Sequence, residues 1–274
     1  MTEIALDLPP EHIAALKQRA QSSDLTVSSL VAMLLAEDLG IQHSTIYQVS
    51  TATALVQGVY QGAVTVANLK EHGDFGLGTF ADLAGEMVVL DGHVYCVPGD
   101  GPIREADNSD PVPFVVVSQF SSDTEISALE AGSFADLTAE WNKHRPSENE
   151  FCAVKLTGTF SSMQTRAVCK VARGTSLEQA TKSQAMFDFK DVTGTIVGYW
   201  FPEFAGNLNV IGWHLHFIDD ARTKGGHVLQ VQADGIDGGL QVLGNIPSDR
   251  VGFCHLQLDE GQKGIPTVCI AYRL

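Results

Sequence analysis

The body of the chain alternates apolar and polar residues over short runs that glycines interrupt. The run GEMVVLDGHVYCV (85–97) alternates on both sides of an Asp-Gly pair, which predicts a two-stranded hairpin with its tight turn at Asp91 and Gly92. The β-branched run PFVVVSQF (113–120) predicts a buried strand, and SFADLTAEWNKHR (133–145) has the spacing and the Ser cap of an amphipathic helix.

The second half of the chain is richer in strands. One or two strands are predicted in EFCAVKLTGTFSSMQTRAV and a helix in SLEQATKSQ; four further strand-like runs are GTIVGYWF, NVIGWHLHFI, HVLQVQADG and GLQVLGNI. Helices between sheets without regular alternation predict an α+β fold. The polar stretch RPSENE (145–150) is the best candidate linker, so we expect sheet-containing halves at 43–148 and 149–274.

The first 42 residues differ from the rest and predict a small N-terminal helical segment. An alternating stretch, EIALDL (3–8), precedes two runs with apolar residues at helical spacing, PPEHIAALKQRAQ and TVSSLVAMLLAEDLG. The segment resembles a ribbon-helix-helix, whose DNA-binding members read bases with the outward face of the strand. Here that face carries Glu3 and Asp7, which would repel phosphate, so we interpret residues 1–42 as an association segment.

Charge and cysteine usage narrow the function classes. The 274 residues hold 17 Lys plus Arg against 33 Asp plus Glu, a net charge of −16, which argues against nucleic acid or an anionic membrane as a partner. A small anionic substrate would need a local positive site.

Five scattered cysteines without a CxxC pair predict reduced thiols. The N-terminus lacks signal-peptide features and no apolar run reaches the roughly 18 residues of a membrane span, so the expected location is cytoplasmic.

Three of the nine histidines lie in WHLHFIDDARTKGGHV, residues 213–228. On a strand, His214 and His216 share one face while Trp213, Leu215 and Phe217 take the other. Histidines two apart on a strand lie about 6 to 7 Å apart at the backbone, so both rings can reach one ion. His227 follows a turn with two glycines, and the set predicts a three-histidine metal site. Three protein ligands leave a coordination position for substrate, as in catalytic zinc sites.

The alternative is an exposed polar hairpin that contains histidine by chance. Asp219 and Asp220 are interpreted as solvated loop carboxylates, although they could also orient a ligand ring. We interpret His255 and His72 as structural histidines because His255 alternates with apolar residues and His72 begins a glycine-rich stretch.

Five stretches together, in order, resemble the α-acetolactate decarboxylase family: STIYQVSTATALVQGVYQG, HGDFGLGTFADLAGEMVVLDGHVY, KLTGTFSSMQTR, VTGTIVGYWFPEF and GWHLHFIDDARTKGGHV. The resemblance implies two related halves with mixed or antiparallel sheets and flanking helices, a homodimer or higher homo-oligomer, and Zn²⁺. It implies conversion of 2-acetolactate, a small anionic 2-hydroxy-3-keto acid, to acetoin and carbon dioxide. By motif position it assigns the metal to His214, His216 and His227, and places Thr79, Glu86 and Arg166 around the substrate.

These residue types suit that chemistry. Zinc acts as a Lewis acid toward the enediolate that decarboxylation leaves. Arg166 offers a permanently charged fork for a carboxylate, Glu86 can transfer a proton if burial raises its pKa, and Thr79 can hold the carboxylate or a water. The family has a glutamate near the metal in a C-terminal tail, whereas this chain ends in an apolar stretch. Asp259 and Glu260 are the nearest acids, and neither is assigned that role.

Two other functions stay open at this stage. A cupin-like iron oxygenase also uses HxH with a later histidine, but its acidic ligand would have to be Asp219 or Asp220. A non-catalytic regulator would combine the ribbon-helix-helix-like segment with a body that senses a metal or a ligand, and the charges of Glu3 and Asp7 argue against DNA binding by it.

Overall fold

The computed structural model describes residues 8–22, 27, 30–31, 34–35, 45–172, 175–182 and 184–243, and the backbone of 254–259 and 267–272. The helices are α1 (Pro10–Ser22), α2 (Ala52–Val56), α3 (Val66–Lys70), α4 (Phe134–Asn142) and α5 (Leu177–Thr181). The strands are β1 (Ile46–Val49), β2 (Val64–Thr65), β3 (Phe75–Thr79), β4 (Glu86–Leu90), β5 (His93–Val97), β6 (Arg104–Glu105), β7 (Pro111–Val112), β8 (Phe114–Ser118), β9 (Thr124–Ala131), β10 (Phe151–Ala167), β11 (Ala185–Phe201), β12 (Gly212–Asp219), β13 (Gly225–Leu243), β14 (Cys254–Asp259) and β15 (Thr267–Tyr272).

The first sheet has eight antiparallel strands in the order β14-β15-β1-β8-β3-β4-β5-β6. Its β4–β5 hairpin turns at Asp91 and Gly92, both with positive φ (52° and 79°), which confirms the turn predicted from the Asp-Gly pair. One face of this sheet is covered by α3 through Val66 and Leu69. β2 and β7 form a separate two-stranded pair.

The second sheet closes on itself. Its order is β10-β11-β12-β13-β9, and β10 also pairs with β13, so four of its strands form a ring. Apolar side chains fill the ring, among them Leu156, Phe160 and Phe217, and α4 covers it with Leu137 and Trp141. Each such side chain contributes about 1.5–3 kcal/mol by its burial.

The long strands of this ring differ from the runs that the sequence predicts. HVLQVQADG and the part of GLQVLGNI that the structure describes, GLQVL, belong to a single strand, β13, although Gly235, Gly238 and Gly239 lie where the two runs meet. Gly238 is required there, because a Cβ would lie 2.4 Å from the Trp141 ring. β11 likewise begins at Ala185, well before GTIVGYWF. We attribute the length to ring closure, which pairs each strand along most of its extent.

The two sheets pack face to face. Alternation places Val88 and Leu90 of β4 and Val197 of β11 in the shared core. The Tyr199 hydroxyl crosses between the sheets, donating to the Phe75 carbonyl oxygen at 3.0 Å and lying 2.9 Å from Ser118 Oγ. This polar contact fixes the position of one sheet on the other.

The α+β prediction is confirmed: antiparallel sheets carry a few short helices and a small N-terminal helix. The predicted halves at 43–148 and 149–274 stay a prediction, but strands cross that division in both directions. β9 precedes it and lies in the second sheet, while β14 and β15 follow it and lie in the first.

The N-terminal segment is described in part. The first predicted helix is α1, and residues 27, 30–31 and 34–35 of the second are helical. Of the predicted strand at 3–8, residues 3–7 lie outside the described residues and Leu8 is not in a strand. Its ribbon-helix-helix character therefore stays a prediction. Within the described residues, no helix has the length and apolar character to cross a membrane, and the cytoplasmic location also stays a prediction.

Candidate metal centre

Strand β12 carries two of the three clustered histidines on its inter-sheet face. Leu215 and Phe217 point into the ring of the second sheet, while Ile218 belongs to the core between the sheets. His214 and His216 share the parity of Ile218 and are 7% and 1% exposed. The predicted division of the strand into two faces is therefore confirmed, but the imidazole face is buried against the first sheet and is not an exposed hairpin.

His227 of β13 lies directly across from His216 in the antiparallel register. The glycines before it make this approach possible. A Cβ on Gly225 would lie 2.7 Å from the Phe217 carbonyl oxygen, and one on Gly226 would lie 2.6 Å from the Arg166 carbonyl oxygen. Gly226 also has φ of 128°, a conformation that other residues rarely adopt. The glycine pair thus lets β13 pass between β12 and β10.

The three imidazoles converge on one point. His214 Nε2 lies 3.2 Å from both His216 Nε2 and His227 Nδ1, and the last two are 3.3 Å apart. A tetrahedral ion with metal to nitrogen distances near 2.0–2.1 Å has its ligand nitrogens about 3.3 Å apart. The nitrogen triangle therefore fits a metal ion. It is the one group of three or more metal-ligating side chains found within the described residues.

The surroundings keep these histidines neutral, as metal ligands must be. Burial lowers the pKa of His216 to about 4, and burial together with the neighbouring His216 and Arg166 holds the pKa of His214 well below its usual range. The pKa of His227 is likewise held well below its usual range, chiefly by burial. His216 Nδ1 donates to the Met87 carbonyl oxygen at 2.8 Å, which leaves the lone pair of Nε2 facing the other two rings.

Glu86 begins β4 and faces the histidines. Its Oε2 lies 3.6 Å from His216 Nε2, and its side chain is 12% exposed. Burial raises the pKa of Glu86 to about 7, although Arg166 and a hydrogen bond from the Val168 backbone N–H both lower it. Glu86 is therefore a buried acid that can hold or release a proton near neutral pH.

Arg166 of β10 lies directly across from His227. Its Nη1 donates to Gln184 Oε1 at 3.0 Å, while its buried Nε has no hydrogen-bond partner among the described residues. A buried N–H without an acceptor lowers the stability of the folded protein by about 1–3 kcal/mol, so a ligand that supplies an acceptor to this N–H would bind favourably. Arg166 therefore places a positive charge and a free donor beside His227.

Thr79 lies directly across from Glu86 in the β3–β4 pair, but its hydroxyl is already engaged. The Thr79 hydroxyl donates to the Gly85 carbonyl oxygen at 2.9 Å, and the residue is 7% exposed. This bond holds the backbone immediately before Glu86. The predicted contact of Thr79 with the substrate stays a prediction.

Comparison with known proteins identifies the family of this chain. The family model described as Alpha-acetolactate decarboxylase matches residues 46–249. The chain is 40% identical to the alpha-acetolactate decarboxylase of Methanosarcina mazei, covering 72% of this chain and 69% of the relative. The chain belongs to the alpha-acetolactate decarboxylase family. Membership confirms the predicted family and the enzyme class, a carboxy-lyase.

Other members of the decarboxylase family match equally well. The Bacillus subtilis enzyme is 40% identical, with 68% of this chain and 73% of the relative covered. A crystal structure of the enzyme from strain 168 of that species superposes with a TM-score of 0.70 at 37% identity, covering 72% of this chain and 85% of that one. A Staphylococcus aureus protein of unknown function, described as similar to the decarboxylase, gives 0.70 at 31% identity over the same shares.

The other candidate residues lie away from the histidine nitrogens or outside the described side chains. Both carboxylate oxygens of Asp219 are held by its own turn, through Thr223 and the Lys224 N–H, and Asp220 is exposed. Asp219 is 5% exposed, so its interpretation as a solvated carboxylate is wrong. His72 stacks on Tyr47 with ring centroids 3.8 Å apart. The side chains of His255 and Asp259, and all of Glu260, lie outside the described residues.

Three groups that contact the histidines or Arg166 have no signal in the sequence. Asn209 is 1% exposed, and its Oδ1 lies 3.4 Å from His214 Nδ1. The Met87 carbonyl oxygen orients His216, and Gln184 contacts Arg166. A backbone carbonyl carries no sequence signal, and isolated amide residues are common. Only the fold identifies them.

Proposed function

We propose that this chain decarboxylates 2-acetolactate to acetoin and carbon dioxide at a zinc ion held by His214, His216 and His227. The observation that carries the proposal is the convergence of three neutral imidazole nitrogens beside a buried acid and an arginine with an unpaired N–H. The substrate is inferred from the names of the relatives. The site has residues suited to binding a carboxylate and to transferring a proton.

Arg166 binds the departing group. Its guanidinium matches the two oxygens of a carboxylate, and its unpaired Nε–H gives the 2-acetolactate carboxylate a donor beside the histidines. A zinc ion held by His214, His216 and His227 would supply Lewis acidity that stabilises the negative charge developing on the substrate. Loss of carbon dioxide leaves the electron pair of the broken carbon–carbon bond on the remaining fragment.

Glu86 completes the reaction by transferring a proton. Since burial raises its pKa to about 7, a substantial fraction of the carboxyl group is protonated at neutral pH. Transfer of that proton to the enediolate fragment gives acetoin and leaves Glu86 ionised. Glu86 recovers a proton from solvent before the next turnover.

The direct test is acetoin release from racemic 2-acetolactate by the purified protein, together with elemental analysis for bound metal. We expect one zinc per chain, and activity that is lost on chelation and in His214→Ala. His93→Ala is the matched control, because His93 lies at the surface with its Nδ1 2.9 Å from Glu105 and should keep metal and activity. Acetoin formation no faster than the spontaneous reaction contradicts the proposal.

The same preparation separates the alternatives. A cupin-like oxygenase would need an acidic ligand after HxH, but both oxygens of Asp219 bond within the turn. Bound iron with oxygen consumption on turnover would favour that function. Tight, sequence-selective duplex binding at low salt would favour a regulator. We also infer that the chain assembles as a homodimer or higher homo-oligomer, which light scattering after size exclusion tests.

A further inference from the structure

We propose that Gln184 is a positioning residue that holds Arg166 so that the guanidinium Nε–H meets the substrate carboxylate. Gln184 immediately precedes β11, and its Oε1 accepts a hydrogen bond from Arg166 Nη1 at 3.0 Å. The inference deepens the proposed function and rests on it for the identity of the substrate. It adds a residue that acts through the arginine without contacting the substrate.

The amide of Gln184 is fixed in one orientation. Its Nε2 lies 3.7 Å from the sulfur of Met186, and Met186 lies directly across from Arg166 in the β10–β11 register. A guanidinium has only donors, so the oxygen of the amide must face it. The opposite orientation would place amide N–H groups against guanidinium N–H groups. The neighbouring sulfur therefore helps to keep the acceptor toward Arg166.

The bond to Gln184 uses one nitrogen of the guanidinium and leaves another available. Arg166 Nε is buried and unpaired among the described residues, whereas Nη1 is tethered. Arginine is a flexible side chain, so an anchored Nη1 restricts the positions that Nε can take. A carboxylate supplies a charged acceptor for this N–H, whereas acetoin, which has lost its carboxylate, offers only the weaker neutral keto and hydroxyl oxygens. Gln184 should therefore favour substrate binding over product binding.

The test compares two probes by calorimetry on the metal-loaded protein. 2-Hydroxy-2-methylpropanoate has a carboxylate but no keto group, and acetoin has a keto group but no carboxylate. We expect Gln184→Leu to weaken binding of the carboxylate probe about tenfold, the loss of one charge-assisted hydrogen bond, with a change below about twofold for acetoin. Metal content should not change. In turnover, KM for 2-acetolactate should rise more than kcat falls.

Gln164→Leu is the matched control. Gln164 lies on the same hairpin and also makes a cross-strand side-chain bond, from its Nε2 to Asp188 Oδ1 at 2.8 Å. It should leave both affinities unchanged. If Gln184→Leu does not fold, Gln184→Met removes the acceptor while keeping the length of the side chain.

A double-mutant cycle separates positioning from a general structural effect. If Gln184 acts through Arg166, adding Gln184→Leu to Arg166→Ala should weaken the carboxylate probe no further. Additive losses, equal weakening of both probes, or no binding of the carboxylate probe by the unaltered protein would overturn the inference. A dependence of probe binding on Gln184 without acetoin formation from 2-acetolactate would sustain the inference and refute the proposed function.

Discussion

Asp219 and Glu86 are both acids with little exposure, 5% for Asp219 and 12% for the Glu86 side chain, and their surroundings are opposite. Asp219 ends β12 and accepts hydrogen bonds from the Thr223 N–H at 2.7 Å, the Lys224 N–H at 2.8 Å and the Thr223 hydroxyl at 2.9 Å. Glu86 begins β4 and accepts one backbone hydrogen bond, from the Val168 N–H. Burial raises the pKa of Glu86 to about 7.

The difference shows that the number of hydrogen-bond donors around a buried carboxylate determines whether it serves as a structural acceptor or as a proton donor. A carboxylate whose oxygens are filled by donors serves as a structural acceptor. A buried carboxylate with few donors keeps a proton that it can transfer. Glu86 has one such donor where Asp219 has three, which suits the proton transfer proposed for it.

The largest effect should come from removing the proton of Glu86. In Glu86→Gln the side chain keeps its shape but loses the acid, so we expect kcat for 2-acetolactate to fall about 10²- to 10⁴-fold. Bound metal should remain, because the three imidazoles are unchanged. Acetoin assays with elemental analysis check this, and near-normal kcat would remove Glu86 from the mechanism.

The next largest effect concerns the dependence of stability on pH. A folded-state pKa of about 7 against 4.5 means that ionised Glu86 destabilises the folded protein above pH 7. Metal-free Glu86→Gln should therefore be more stable than the metal-free original by about 3 kcal/mol at pH 8. This difference should shrink as pH falls through 7 and vanish below 4.5. Urea unfolding at several pH values measures it; a difference independent of pH contradicts it.

Asp219→Asn should lower the free energy of unfolding and leave kcat almost unchanged, the reverse of what is expected for Glu86→Gln. An amide places an N–H group against the donors of Thr223 and Lys224, so we expect a loss of about 2 kcal/mol in the free energy of unfolding. kcat per folded molecule should stay within about threefold, because Asp219 does not face the ring nitrogens. Urea unfolding and acetoin assays check both. Abolished activity in a folded protein would instead indicate a ligand or proton-transfer role.

The smallest effect should follow Asp220→Asn. Asp220 is exposed and adjoins Asp219, so the change should alter the free energy of unfolding by less than about 0.5 kcal/mol. It also serves as the control for Asp219→Asn. Loss of bound metal in this variant would favour the cupin-like alternative, in which an acidic residue after HxH binds the metal.

The local parts of the site could be predicted from the sequence. Period-two alternation assigns His214 and His216 to one face of a strand, and the glycine pair marks the turn that returns the chain to His227. Both signals arise within one hairpin, where backbone geometry alone fixes the neighbours.

The non-local parts could not be predicted from periodicity. Alternation identifies a face but not what packs on it, so the imidazole face looks exposed although the first sheet buries it. Glu86 and Arg166 came from family resemblance, and only the packing of β4 against β12 and β13 brings Glu86 to His216. The closure of the second sheet into a ring could not be predicted either, since it depends on the pairing of β10 with β13, which are distant in the sequence.

The return of the chain to β1 has a consequence for synthesis. Ile46 pairs with Ile270, so β1 acquires this neighbour only after β15 has been made. Contacts of such high sequence separation slow folding and leave a strand edge open to other chains in the meantime. Until β15 has been made, the edge of β1 that it covers is therefore open to pairing with other chains.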